Sequence, residues 1–154
     1  MTAEESSIKQ KLFSKCVASV DTRMASIKEA IQLAQASANE ETKSSAGDKY
    51  ETGRAMAQLE IENGHRQLEE AIKLRQALEQ IDLKKETTSA QLGSLVFTTS
   101  GNYYLAISLG KLLIDEINYY AISPASPIGL KLIGLKAGTT IIFNAKEFRV
   151  ERIV

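Results

Sequence analysis

Four carboxylates stand close together in the chain: Glu40, Glu41, Asp48 and Glu51. Carboxylate oxygens are ligands for hard cations, and magnesium in two-metal phosphoryl chemistry is held by one or two protein carboxylates plus waters and substrate oxygens. Asp48-Lys49-Tyr50-Glu51 has a D-x-x-E spacing, which on a helix sets both acids on one side of a turn. The same pair also suits a structural use, since acids in a first helical turn favour the helix dipole and a capping box by roughly 0.3 to 1 kcal/mol each. Glu40 and Glu41 suit a solvated helix face better than a ligand role. Other chemistry finds little support. His65 and Cys16 are the sole histidine and cysteine, so neither an intramolecular disulfide nor a zinc site of the usual tetrahedral kind can form. His65 is expected on an exposed flank and Cys16 as a small packing residue. There is no Walker loop, nucleophile elbow or dinucleotide fingerprint. Gly129, Gly134 and Gly138 read as a helix end and a turn. Tyr103-Tyr104 and Tyr119-Tyr120 are adjacent pairs on expected strands, where one of each pair must face the core.

Two textures position these groups. The 154 residues, 44% apolar and 25% charged, are ordinary for one folded domain or two small ones. Nineteen basic and nineteen acidic residues cancel, so no overall field draws the chain to nucleic acid or an anionic membrane. No window approaches the roughly 20 apolar residues of a membrane helix, and the first thirty residues hold no signal-type apolar core. The expected location is the cytosol. Residues 1–90 carry 13 basic and 15 acidic residues and no proline, whereas 91–154 carry six basic and four acidic residues, both prolines and β-branched runs broken by glycine. Helical texture thus gives way to strand texture, with the polar stretch 84–91 as the join.

In the first part, Phe13, Val17, Val20, Met24, Ile27, Ile31, Ala34 and Ala38 recur with steps alternating four and three, which is a heptad seam. Tyr50, Arg54, Ala57, Ile61, Gly64, Leu68, Ala71 and Arg75 form a second. Folding about residue 44 would set the two antiparallel, with Met24 over Gly64 and Phe13 opposite Arg75. The stems of Arg54 and Arg75 would lie along the groove. Thr2 with Glu5 is a capping box for the first helix, Ser45 with Asp48 an acidic variant for the second, and residues 39–47 form the tip.

The second part predicts a small antiparallel sheet of about six strands. Hairpins are expected between 92–99 and 103–109, between 111–114 and 117–122 around Asp115-Glu116, and between 139–143 and 147–154 around Asn144-Ala145-Lys146. Ser126 caps a short helix with Pro127 at its first position, running to Ile133 and ended by Gly134. Lys131, Lys136, Lys146, Arg149 and Arg152 could form a local basic surface suited to acidic helices of a protein partner.

A long N-terminal helical hairpin followed by Ser126-Pro127-Ile128-Gly129-Leu130-Lys131-Leu132-Ile133-Gly134 and then Gly138 resembles the bacterial Gre transcript-cleavage factors. Their second domain carries a similar S-P-I-x-x-x-L-I-G-x-x-x-G stretch, and the resemblance covers nearly the whole chain in order and length. It implies an α+β fold with an antiparallel coiled-coil hairpin over 1–85, its tip near 39–49, and an FKBP-like antiparallel β domain with one short helix over 86–154. It further implies docking at the secondary channel of RNA polymerase through Ser126, Pro127, Ile128 and Lys131, with the tip entering the channel. Two tip acids, here Asp48 and Glu51 with Glu40 and Glu41 as alternates, would then help hold a magnesium ion shared with the polymerase. Such a factor is a monomer with no catalytic site or cofactor of its own, touches the nascent RNA 3′ end at most indirectly, and avoids membranes. One departure is plain: in the family the D-x-x-E pair precedes a tyrosine by several residues, whereas here Tyr50 lies inside it. Anchoring on Tyr50 places Lys43 and Ala46 at the acidic positions, so either the loop is rebuilt or cleavage is lost and the protein only occupies the channel. Two further readings are an FKBP-like peptidyl-prolyl isomerase or chaperone, which wants aromatics clustered around a proline, and a scaffold pairing through its helical flank.

Overall fold

The structure, a computed structural model, describes the backbone of residues 1–43 and 47–154 and the side chains of residues 1–40 and 51–154. The fold is α+β: α1 (Ala3–Lys43) and α2 (Gly47–Glu79) precede β1 (Leu95–Thr98), β2 (Gly101–Leu105), β3 (Gly110–Ile114), β4 (Ile117–Ile122), α3 (Pro127–Leu132), β5 (Thr140–Phe143) and β6 (Lys146–Ile153). Among the described residues no helix is long and apolar enough to cross a membrane. The change of texture near residue 85 marks a change of element type. The compact units divide elsewhere: one is Ser19–Arg75, the other joins Met1–Ala18 to Gln76–Val154.

In the helical unit the two seams meet, with Ile27, Ile31 and Ala71 buried and Met24 and Leu68 packed against them. Their register corrects the expected one. A methyl group added at Gly64 would stand 2.5 Å from Cγ1 of Ile31, so Gly64 faces Ile31 and not Met24. Arg75 Nε lies 3.2 Å from the Asp21 carboxylate, further along α1 than Phe13. Both contacts correspond to a slide of about one heptad. A seam that repeats every seven residues keeps the same side chains inside after such a slide, so only the fit of individual residues separates the two registers. Helical backbone extends further towards the turn than expected, through Lys43 in α1 and from Gly47 in α2, and residues 44–46 lie outside the described residues. The Ser45 and Asp48 capping pattern shares that position.

The Ile31–Gly64 contact is open to a double-mutant cycle. Alanine at Gly64 gains roughly 1 kcal/mol of helix propensity but meets Ile31, so its effect alone is a balance. Gly64→Ala and Ile31→Ala together are expected to cost about 1 kcal/mol less than the sum of the single changes in urea denaturation. Gly64→Ala and Met24→Ala should simply add. Coupling to Met24 instead would restore the other register.

In the second unit the strands lie in the order β3-β4-β2-β1-β6-β5. The pairing is antiparallel except between β2 and β4, which run parallel with Tyr103 beside Tyr120 and Tyr104 beside Ala121. Here the all-antiparallel expectation is corrected. Local turn residues specify the β3–β4 hairpin but not the strand beside which it docks. The segment after β2, with Ala106 and Ile107 buried, carries the chain outward so that β4 returns next to β2. The outer hairpins use two-residue turns with both residues at positive φ, Asp115 and Glu116 at 48° and 67° and Asn144 and Ala145 at 51° and 61°. That geometry matches the right-handed twist of the strands.

The sheet has a core on each side. On one, α3 places Leu132 among Val96, Leu105, Phe148 and Val150, with Ile128 and Leu135 packed against them. On the other, Leu95, Tyr104 and Tyr119 are buried, and the start of α1 makes specific contacts. Cys16 is buried there with the Ile107 backbone beside its thiol, and Lys11 Nζ sits 3.0 Å from the Asp115 carboxylate. The capping box forms as expected, with Thr2 N–H donating to Glu5 at 2.8 Å and Glu5 N–H to Thr2 Oγ1 at 3.1 Å. The capping pattern gives no hint of a second partner of Glu5: Arg152 on β6 grips the same carboxylate through two nitrogens, at 2.6 and 2.9 Å.

Cys16 is fully buried, as a packing residue should be. Burial pushes its thiol from 9.0 up to about 11, the Ile107 N–H pulling the other way. Its folded value exceeds its unfolded one, so the stabilisation is complete below pH 9 and fades as pH rises through 11. Roughly 2 kcal/mol should be lost between pH 8 and 11 on this account. Burial lowers the value of Lys9, which acts in the opposite direction, so the test is a difference. Stability against pH in Cys16→Ala should fall less steeply than in the parent above pH 9, and identical slopes would remove the assignment.

Candidate functional site

The segment that carries the resemblance folds as α3 and its two ends, and most of its residues have local tasks. Ser126 adopts extended backbone (φ −67°, ψ 159°) and caps the helix. Its Oγ accepts from the Gly129 N–H at 3.1 Å and its hydroxyl donates to the Ser123 carbonyl at 2.6 Å. Pro127 takes the first helical position, where its fixed φ suits the turn and its missing N–H costs nothing. Gly129 lies so close to the preceding loop that a Cβ there would stand 2.1 Å from the Ser123 carbonyl oxygen. Gly134, at φ 82°, turns the chain so that its N–H reaches the Ala90 carbonyl at 2.8 Å, while the Ala90 N–H donates to Leu135 at 2.8 Å.

Of the residues expected to touch a partner, Pro127 and Lys131 are exposed, whereas Ser126 and Ile128 are half-buried. The hydroxyl of Ser126 is engaged within the cap, and Ile128 packs against the core. The open side of α3 carries instead two residues that the motif did not single out, Leu130 at 68% exposure and Ile133 at 39%. A signal for them existed. Ile128 and Leu132, four apart, must share the inward stripe of a helix, which leaves Leu130 on the outward side. No acidic residue occurs anywhere in residues 117–146, a stretch that contains Lys131, Lys136 and Lys146. Arg152 does not belong with these cations, since it is held by Glu5.

At the other candidate site, Glu40 and Glu51 are exposed near the ends of α1 and α2. The side chains of Glu41 and Asp48 lie outside the described residues, as do Lys43 and Ala46. Among the described residues no group of three or more histidine, cysteine, aspartate or glutamate side chains is placed to hold a metal ion. Two exposed carboxylates can still supply the one or two protein oxygens that magnesium commonly takes. Behind the tip, Gln35, Ala38, Asn39, Arg54, Gln58 and Ile61 line a cavity of about 480 Å³, a polar break in the seam at the position of Arg54. His65 is exposed. Tyr104 and Tyr119 are the buried members of their pairs. Tyr103 and Tyr120 lie on the other face with ring centres 5.7 Å apart.

The chain matches no family model, no curated protein and no solved structure.

Proposed function

We propose that this protein is a Gre-like accessory factor of bacterial RNA polymerase. It docks through the outward side of α3 and brings the acidic end of its helical hairpin to the secondary channel. The observation that carries this reading is the folded form of the S-P-I-x-x-x-L-I-G segment. Its serine, proline, isoleucine and glycines are consumed in building a rigid capped helix, and that helix presents Leu130, Lys131 and Ile133 to solvent. An apolar centre with Lys131 beside it, within a stretch of sequence (117–146) that has no acidic residue, suits a helix of a partner that carries carboxylates along an apolar stripe. The hairpin supports the second half: from Ser19 to Lys43, α1 rises about 37 Å, with Glu40 near its end.

Two activities fit such a factor, stimulation of transcript cleavage and occupation of the channel without cleavage. Stalled elongation complexes with purified polymerase separate them. Cleavage above the level of polymerase alone, reduced tenfold or more by Asp48→Ala or Glu51→Ala, supports the first activity. Binding without added cleavage leaves the second. Absence of both discards the proposal.

A further inference from the structure

We infer that β5, the strand at one end of the sheet, pairs through its free edge with β5 of a second copy of this chain, antiparallel about a two-fold axis at Ile141. The inference is independent of polymerase binding. The two-residue turn sets Phe143 against Lys146, and the register continues as Ile142 with Glu147, Ile141 with Phe148 and Thr140 with Arg149. In an antiparallel pair every second residue exchanges main-chain hydrogen bonds with its opposite number, beginning with the pair that closes a two-residue turn. Phe143 and Ile141 therefore bond to β6, and Thr140 and Ile142 do not. Arg149 obeys the same parity, since its N–H and its carbonyl both go to Thr99 on the side away from β5. The main-chain groups of Thr140 and Ile142 thus point out of the sheet, and among the described residues no other element takes them.

An open strand edge is a template for another strand, and proteins guard it with lysine, proline or a bulge. β5 (Thr-Ile-Ile-Phe) has no lysine, no proline and no charge, and its pairing with β6 runs without a bulge. The other end of the sheet differs. By the same parity the outward residues of β3 are Lys111 and Leu113, so that edge has its lysine, and pairing of β5 with β3 of another copy would build open chains. β5 is instead complementary to itself. Thr140 of each copy falls opposite Ile142 of the other and exchanges both main-chain bonds with it, while Ile141 meets its equivalent on the axis. Ile141 and Phe143 pack against the α3-side core, so Thr140 and Ile142, the latter 65% exposed, lie on the other face. There Glu147 stands beside Ile142 and Arg149 beside Thr140. Each row across the junction then reads Glu147 and Ile142 of one copy, Thr140 and Arg149 of the other. Opposite charges flank an apolar centre, and no like charges stand directly opposite each other. Lys146 falls on the α3 side beside Phe143, and Asp115 and Glu116 belong to the turn at the far end of the sheet.

With four residues in β5 the junction is small and the dimer weak. Sedimentation and amide hydrogen exchange of the full chain are measured at about 10 μM and about 1 mM, a range that brackets weak dissociation constants. At the higher concentration the mass should approach that of a dimer. Exchange at the Thr140 and Ile142 amides should slow several-fold between the two, with the Leu113 amide at the other edge unchanged. Ile142→Lys, a change at an exposed site, should keep the chain monomeric at the higher concentration, and Leu113→Ser should not. A monomer at the higher concentration, assemblies larger than a dimer, a dimer whose Thr140 and Ile142 amides exchange as fast as in the monomer, or a dimer that survives Ile142→Lys would each overturn the inference.

Discussion

Gly129→Ala should cost the β-sheet unit about 3 kcal/mol or more, measured by chemical denaturation. The added methyl would lie 2.1 Å from the Ser123 carbonyl oxygen, 2.8 Å from Ser126 Oγ and 3.0 Å from the Pro124 carbonyl carbon. Two of these are backbone atoms that cannot swing aside, so the loop or the helix must move. Overpacking of a fitted site typically costs 1–3 kcal/mol, and rigid surroundings put this case at or above the upper end. The movement would also disrupt the Ser126 cap, which is worth about 1 kcal/mol. Gly134→Ala is the control. Nothing lies within 4 Å of a Cβ there, but φ is 82°, so the cost should be only the 1–2 kcal/mol of a left-handed residue. Equal losses in the two variants would mean that the close approach at Gly129 is not what requires glycine.

Arg152→Ala is expected to destabilise the same unit by roughly 2–3 kcal/mol. Glu5 is only 7% exposed, and removal of Arg152 leaves its carboxylate buried with the Thr2 N–H as its remaining partner in the structure. Losing one member of a buried pair can cost 3–5 kcal/mol. The Arg152 side chain is 51% exposed, so water can enter and the lower figure applies. Glu5→Gln should cost less, because the amide oxygen still caps α1 and the arginine left behind is already half solvated. A glutamine variant more damaging than Arg152→Ala would contradict this ranking, since glutamine keeps the cap and loses only the charge.

The features written in short stretches of sequence were the legible ones. Alternating apolar residues and two-residue turns located the strands, and Ser126-Pro127 located α3 within a residue. The adjacent tyrosines divided between the two faces of the sheet, Tyr104 and Tyr119 on one and Tyr103 and Tyr120 on the other, because side chains alternate along a strand. Relations between distant stretches were not legible. The parallel pairing of β2 with β4 depends on where a finished hairpin docks. The slide of about one heptad between the seams leaves the pattern unchanged and is decided by Ile31 filling the space over Gly64. Arg152 read as a surface cation because its partner lies 147 positions away in sequence. At the candidate site, the motif drew attention to residues that build α3. The side chains that α3 presents follow from helix geometry: Ile128 and Leu132 face inward, and Leu130 and Ile133 are exposed.

Docking through α3 is tested by retention of purified bacterial RNA polymerase core enzyme on the immobilised full chain, compared with Leu130→Asp. Leu130 is largely exposed, so the aspartate should leave the fold intact while placing a like charge against an acidic partner. The parent chain is expected to retain polymerase, and Leu130→Asp to lower the affinity at least tenfold. Failure of the parent chain to retain polymerase, or equal retention by the variant, would contradict docking through α3.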